Sequence, residues 1–199
     1  MPEDDLSPAA ERLLAAAMTL FAEKGYERTT VGEIQEAAGL TFGSGALYKH
    51  FPSKEAVLAE GIRRFVERAK SERGMLATLD ELSILDALTA VARQAMTSLA
   101  RDADVLRIAW RDLESYPALL EAVRTERIRA TFDEFGSWLA HQDSEGRITA
   151  HDPQAVAAVA LSALTFFQLL TFLLDDTPGG LSEDRFVAAW AELFAYALT

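Results

Sequence analysis

The sequence predicts an all-α fold in which three short N-terminal helices are joined to a larger helical bundle. Three features carry that expectation. Apolar residues recur at three- and four-residue spacing along the chain, capping residues precede the periodic runs, and no run shows the strict alternation of a half-buried strand. No internal repeat is present, and 199 residues are enough for a small head on a larger body.

The elements follow in order. Ser7-Pro8 reads as a cap followed by proline at the first helical position, where the missing N–H costs nothing. Leu13, Leu14, Ala17, Leu20 and Phe21 then keep helical spacing until Gly25. Thr30-Val31-Gly32-Glu33 reads as a capping box, with Val31, Ile34 and Ala38 as the inner face of a short helix that Gly39 ends. The glycine-rich connection Thr41-Phe42-Gly43-Ser44-Gly45 leads into a third helix around Ala46 to Phe51. Pro52 closes it, and Ser53 caps a fourth from about Lys54 to Met75. Further helices are expected at about Leu82–Arg101, Ala103–Ser115, Pro117–His141, Pro153–Asp175 and Ser182–Leu198, separated by polar, proline and glycine breaks.

Composition narrows the function. Half the residues are hydrophobic and a quarter are charged, as in ordinary globular chains. The chain has no cysteine, which removes disulfides, thiolate metal sites and cysteine nucleophiles together. This usage and an acidic start without signal-peptide features fit a cytoplasmic protein. A net charge of −12 opposes nonspecific nucleic-acid binding, which needs cations against phosphate. The distribution qualifies the sum. From Thr41 to Lys54 there is no acidic residue, while Lys49, His50 and Lys54 fall close together. A DNA contact belongs there, and it should be salt-sensitive.

Short helices followed by a long one, with a glycine turn between the second and third, form a helix-turn-helix arrangement whose third helix enters the major groove. Tyr48 and His50 offer polar tips for phosphate. Lys54 opposes the dipole of its own helix, and a phosphate at that terminus would offset this. The Thr30 hydroxyl caps its helix and could also face the DNA backbone. Lys49 is the long donor of the third helix able to reach guanine O6 and N7.

The order Ala17…Leu20-Phe21…Gly25-Tyr26…Thr29-Thr30-Val31…Ile34…Ala37-Ala38-Gly39-Leu40, then Gly45-Ala46-Leu47-Tyr48-Lys49-His50-Phe51…Ser53-Lys54-Glu55, resembles the N-terminal domain of the tetracycline-repressor (TetR) family. The resemblance covers Leu14 to Leu58, roughly the first third of the chain. It implies a helix-turn-helix DNA-binding domain over residues 1–58 and a helical ligand-binding and dimerisation domain over residues 59–199. It also assigns base reading to Thr41, Phe42, Ser44, Gly45 and Ala46 together with Lys49. The chain departs from the family's usual pattern by about two extra residues within Thr41–Gly45, where residue-by-residue transfer is unsafe. Phe42 in that insertion reads as a hydrophobic prop under the turn or as a contact to a thymine methyl. The acidic leader replaces the basic arm common among relatives, so a minor-groove contact from the N-terminus is not expected.

Other features have plainer readings. Gly43-Ser44-Gly45 lacks the strand and the Lys-Ser/Thr of a nucleotide loop. Val156 to Leu174 is apolar enough for a membrane span, but Ser162, Thr165 and Gln168 make a polar stripe and no basic residue flanks it, as in a buried helix. His141 with Asp143 and His151 with Asp152 lack a third ligand at helical spacing, so no metal site is expected. Arg124 to Arg129 reads as an exposed helix face with local ion pairs.

In the larger domain Phe65, Met96, Trp110, Phe132, Phe135 and Phe166 lie at core spacings. By the resemblance they would line a pocket for a small inducer, and Arg107, Arg111, Asp112 and Glu114, near Trp110, would supply its polar contacts. Leu161, Leu164, Phe167, Phe172 and Leu173 make one late helix too apolar for a surface. Phe186, Trp190, Leu193 and Phe194 give the last helix a wide apolar face. Together they form a helical hairpin that a second copy could cover, where the resemblance implies a four-helix dimer interface.

The expected molecule is a C2 dimer without cofactor, metal or catalysis, binding a near-palindromic duplex operator. It would act as a repressor released by a small molecule, operator and ligand opposing each other equally in free energy. The alternative is a helical small-molecule-binding or protein-interaction module without operator binding.

Overall fold

The computed structural model describes residues 6–43 and 45–199, and every regular element among them is helical. The elements are α1 (Pro8–Lys24), α2 (Val31–Ala37), a 3₁₀ turn at Leu47–Lys49, α3 (Lys54–Ser71), α4 (Ile84–Arg101), α5 (Ala103–Arg111), α6 (Pro117–Ala122), α7 (Ala130–Ser144), α8 (Pro153–Leu174) and α9 (Glu183–Leu198). They gather into two compact units. One takes in the chain up to Arg68 together with Asp104–Arg124, and the other comprises Ala69–Ala103 and Thr125–Thr199.

The local signals act as their chemistry requires. Ser7 accepts the Ala10 N–H, and Thr30 and Glu33 exchange the two bonds of a capping box. Ser53, Ser83, Asp152 and Ser182 each accept an N–H from the first turn that follows. Lengths differ more than positions. The fourth expected helix stops at Ser71, four residues short, because Gly74 turns the chain with φ 85°. The expected run from Pro117 is interrupted by a π-helical stretch at Val123–Arg129.

The expected third helix is reduced to one 3₁₀ turn, Leu47–Lys49. Gly43 and Gly45 both hold positive φ, so helical geometry cannot begin before Ala46, and Pro52 follows at once.

In the first unit α1, α2 and α3 close around Leu13, Ala17, Phe21, Ile34, Leu47, Leu58, Ile62 and Phe65. Val105, Ile108, Leu113 and Val123 join the same core, so Asp104–Arg124 is built into the unit that carries the helix-turn-helix. Tyr26 packs against Phe21 at 5.1 Å and edge-on against Tyr116 at 5.2 Å between ring centroids. Burial and the hydrogen bond with Tyr116 raise the Tyr26 phenol above its ordinary range, so it stays neutral.

The second unit packs α4, α7, α8 and α9 around Leu88, Met96, Leu139, Leu164 and Trp190. The Trp190 indole donates to the Ala160 carbonyl at 2.9 Å, and Trp138 donates to Asp80 at 3.0 Å.

This packing corrects the expected dimer face. Leu161, Leu164, Phe167 and Trp190 are buried in the protomer's own core. Phe186 stacks on Phe167, and Phe172 and Phe194 are half-buried. Of the residues expected on the hairpin's apolar face, Leu173 and Leu193 are exposed, at 63% and 64%. The opposite face of α8 carries Val159, Phe166 and Leu173, all exposed and seven residues apart. Helical spacing identified an apolar face correctly, but α8 has two, and the chain uses one for itself. Gln168 of the expected polar stripe is buried, whereas Ser162 and Thr165 are open. By length and composition alone α8 could also cross a membrane.

Arg124, Ile128 and Arg129 stand open and Arg124 makes a local pair with Glu121 at 2.8 Å, as expected of an exposed face, but Arg127 departs from it. Arg127 turns inward to Asp102 at 3.5 Å and Glu72 at 3.9 Å, while Glu126 pairs with Arg73 at 3.5 Å.

Candidate nucleic-acid interface

The site is built on two buried anchors. Leu47 and Phe51 sit in the core of the first unit, and the three residues between them, Tyr48, Lys49 and His50, all stand open. Such a short turn gives each successive side chain a different outward direction, so three polar tips leave one compact base. Thr41, Phe42 and Gly43 are open as well, Gly45 and Ala46 are half-buried, and Ser44 lies outside the described residues. His50 Nδ1 stands 3.4 Å from the Ser7 hydroxyl, which joins the Leu47–Lys49 turn to the start of α1.

Phe42 is 65% exposed, yet its ring lies so close to Gly32 that an added β-carbon there would push the ring aside. The ring is therefore laid on the start of α2 with its outer face free.

Thr30 and Glu33 hold the start of α2. The Thr30 hydroxyl accepts the Glu33 N–H at 3.3 Å, and Glu33 accepts the Thr30 N–H at 2.8 Å and the Lys24 ammonium at 2.7 Å. The Lys24 contact, then the Thr30 N–H and hydroxyl, hold the Glu33 carboxyl at about 2 against its ordinary 4.5. A lowered carboxyl pKa contributes stability in full above about 4.5, and that contribution is lost as pH falls toward about 2. Thermal unfolding of wild type and Glu33→Gln across that range should show a gap in Tm that closes as pH falls. A gap independent of pH would mean that the carboxylate contributes nothing through its charge.

Lys54 is not left free for phosphate in the way its position suggests. Its ammonium donates to the Tyr26 carbonyl at 2.8 Å and the Thr29 carbonyl at 2.9 Å, and lies 4.2 Å from the Tyr26 ring centroid. Those carbonyls supply the negative pole that the N-terminus of α3 withholds, so Lys54 braces the α1–α2 connection.

The residues expected to line a ligand pocket are spread through both units. Phe65 is buried in the core of the first, and Met96 and Phe135 in that of the second, with Phe132 packed at its edge. Trp110 and Phe166 are exposed. Arg107 pairs with Asp104 at 3.5 Å. Arg111 donates to the carbonyls of Phe21 and Ala22 and to Asp112, which accepts the Tyr26 N–H at 3.3 Å. Arg111 therefore closes the C-terminal end of α1, where orphan carbonyls need donors.

One polar residue of the site was missed from sequence. Gln35 is 1% exposed; its side-chain oxygen accepts the Leu47 N–H at 3.1 Å and its nitrogen lies 3.5 Å from the Thr41 carbonyl. The signal was present, since Gln35 shares the inner face of Val31 and Ala38 by helical spacing, where an apolar side chain is the default.

Comparison with known proteins agrees with this geometry. Residues 13–60 match the family model of bacterial regulatory proteins of the tetR family. The chain is 40% identical over 100 residues to the HTH-type transcriptional repressor KstR2 of Rhodococcus jostii, an alignment covering 48% of each protein, so it spans about half of that relative's length. It is 32% identical over 137 residues to the HTH-type transcriptional repressor Rv1474c of Mycobacterium tuberculosis, covering 64% of this chain and 68% of that one. Among solved structures, a transcriptional regulator of Saccharomonospora viridis in complex with choline superposes with a TM-score of 0.76 at 19% identity, covering 97% of this chain and 98% of that one. The long match to Rv1474c, the family model over the helix-turn-helix and the shared fold make this chain a member of the TetR family.

Proposed function

We propose that this chain is a dimeric transcriptional repressor that reads a near-palindromic operator and is released by a small molecule. The observation that carries the reading is the open triplet Tyr48-Lys49-His50 between buried Leu47 and Phe51, in a segment without acidic residues. Rigid anchors fix the register of the triplet, and the absence of carboxylates lets it approach phosphate despite the net charge of −12. Tyr48, His50 and Thr30 serve the backbone, and Lys49 reads a base. A second copy brings the second reading turn by docking on the exposed stripe of α8 and on Leu193. The choline complex of the Saccharomonospora viridis neighbour supports a small-molecule effector.

The test is selection from random duplex DNA, followed by titration of the selected site at several salt concentrations. The expected result is an inverted repeat whose affinity falls steeply with salt. Lys49→Ala should lower that affinity about 5- to 30-fold and relax preference at one position of each half-site. A folded dimer that enriches no sequence would favour the alternative of a helical ligand-binding or protein-interaction module, for which the shortened reading turn is the supporting feature.

A further inference from the structure

The reading turn begins without a cap of its own. Its N-cap position is Ala46, which has no side chain able to accept an N–H, and the residues before it include two glycines in the left-handed region. A helical segment leaves its first N–H groups without intrahelical partners, and a buried orphan donor costs more than an ordinary hydrogen bond contributes. The Leu47 N–H is such a donor, since the Leu47 side chain is fully buried. It is met by the Gln35 side-chain oxygen at 3.1 Å, from a different helix.

The other end of the same amide reaches back across the turn. Gln35 Nε2 lies 3.5 Å from the Thr41 carbonyl, a long contact that follows once the oxygen is committed to Leu47. One buried side chain therefore touches the first residue of the inserted stretch and the first residue of the reading turn. Between these points the chain has two positive-φ glycines and no buried side chain among the described residues, and Phe42 rests on Gly32 from the surface. Gln35 itself cannot shift freely. It belongs to α2, whose neighbouring residue Ile34 is fully buried and whose start is held by the Thr30–Glu33 capping box.

We infer that Gln35 is a positioning residue, capping the reading turn from the neighbouring helix and so determining which bases Lys49 and the Thr41–Ala46 stretch meet. It makes no contact with DNA. It acts by converting a turn lengthened by glycines into one with a single register, which base reading needs and phosphate contact does not. This rests on the operator reading proposed above, and its consequences divide into one that needs DNA and one that does not.

The experiment compares the full-length wild type with Gln35→Met and Gln35→Glu. Methionine keeps the length and burial but removes both hydrogen bonds, whereas glutamate keeps the acceptor for Leu47 and loses the donor for Thr41. Amide hydrogen exchange is measured on the free proteins, with exchange of α1 and α3 as the control for folding. Leu47 should exchange roughly tenfold faster in Gln35→Met and stay protected in Gln35→Glu. Selection from random DNA should then show Gln35→Met flattening the preference at the inner positions of each half-site, with nonspecific affinity unchanged. Leu47 protection unchanged in a folded Gln35→Met overturns the cap, and faster exchange with an unaltered base preference overturns the role in specificity. A wild type that enriches no DNA refutes the operator reading itself, while the exchange result still decides the cap.

Discussion

Phe166→Glu is expected to convert the proposed dimer into a folded monomer and to abolish tight binding to an inverted repeat. Phe166 is 58% exposed in the protomer, in the middle of a stripe with Val159 and Leu173. On α9, Leu193 is 64% and Tyr196 87% exposed, a second apolar face on the adjacent helix of the same hairpin. Apolar area of this kind is worth about 25 cal/mol per Å² when covered, so a fully buried phenylalanine contributes roughly 1.5–3 kcal/mol. In a two-fold interface every substitution is made twice, and glutamate adds two carboxylates to desolvate. The dimer dissociation constant should rise by about a thousandfold or more. Sedimentation at micromolar concentration gives the mass, and far-ultraviolet circular dichroism should be unchanged because the protomer core does not use this residue. An unaltered dimer would place the interface elsewhere. A monomeric wild type would refute dimerisation through this face.

The second large effect is expected at Lys54. Lys54→Met keeps most of the aliphatic stem but removes the charge that holds the Tyr26 and Thr29 carbonyls and lies on the Tyr26 ring. Hydrogen bonds from a charged donor contribute about 1.5–3 kcal/mol, so with half-burial a loss of about 2–3 kcal/mol is expected for the first unit. For a chain of this size that lowers Tm by roughly 4–12 °C. The salt dependence of DNA binding should keep its slope, since no phosphate contact is removed. If instead Tm is unchanged and the slope falls by about one, Lys54 grips the DNA backbone and the brace is secondary.

These two residues show where sequence reading reaches and where it stops. Ser7, Thr30 and Ser53 were legible as caps because a cap acts on an N–H two or three residues away. Lys54 was legible as a cation at a helix start, but its carbonyl partners lie 28 and 25 residues back. Gln35 was legible as a polar residue on an apolar face, but the N–H it caps lies 12 residues on, beyond a turn of unusual length. Leu164 and Phe166 were both legible as apolar, yet one is in the core and the other faces solvent.

The order of the helices, their caps, the acid-free stretch around Lys49 and the family itself were determined by the sequence alone. Each depends on residue identity at fixed spacing, within a turn or two of backbone. Only the tertiary structure decided that Asp104–Arg124 joins the unit of the helix-turn-helix, that Lys54 and Arg111 serve backbone carbonyls, and which face of α8 is left open. The reason is physical. Periodicity shows that a helix has an apolar face, but burial is decided by which surfaces meet, and a long polar side chain takes the best partner that packing brings within about 3 Å.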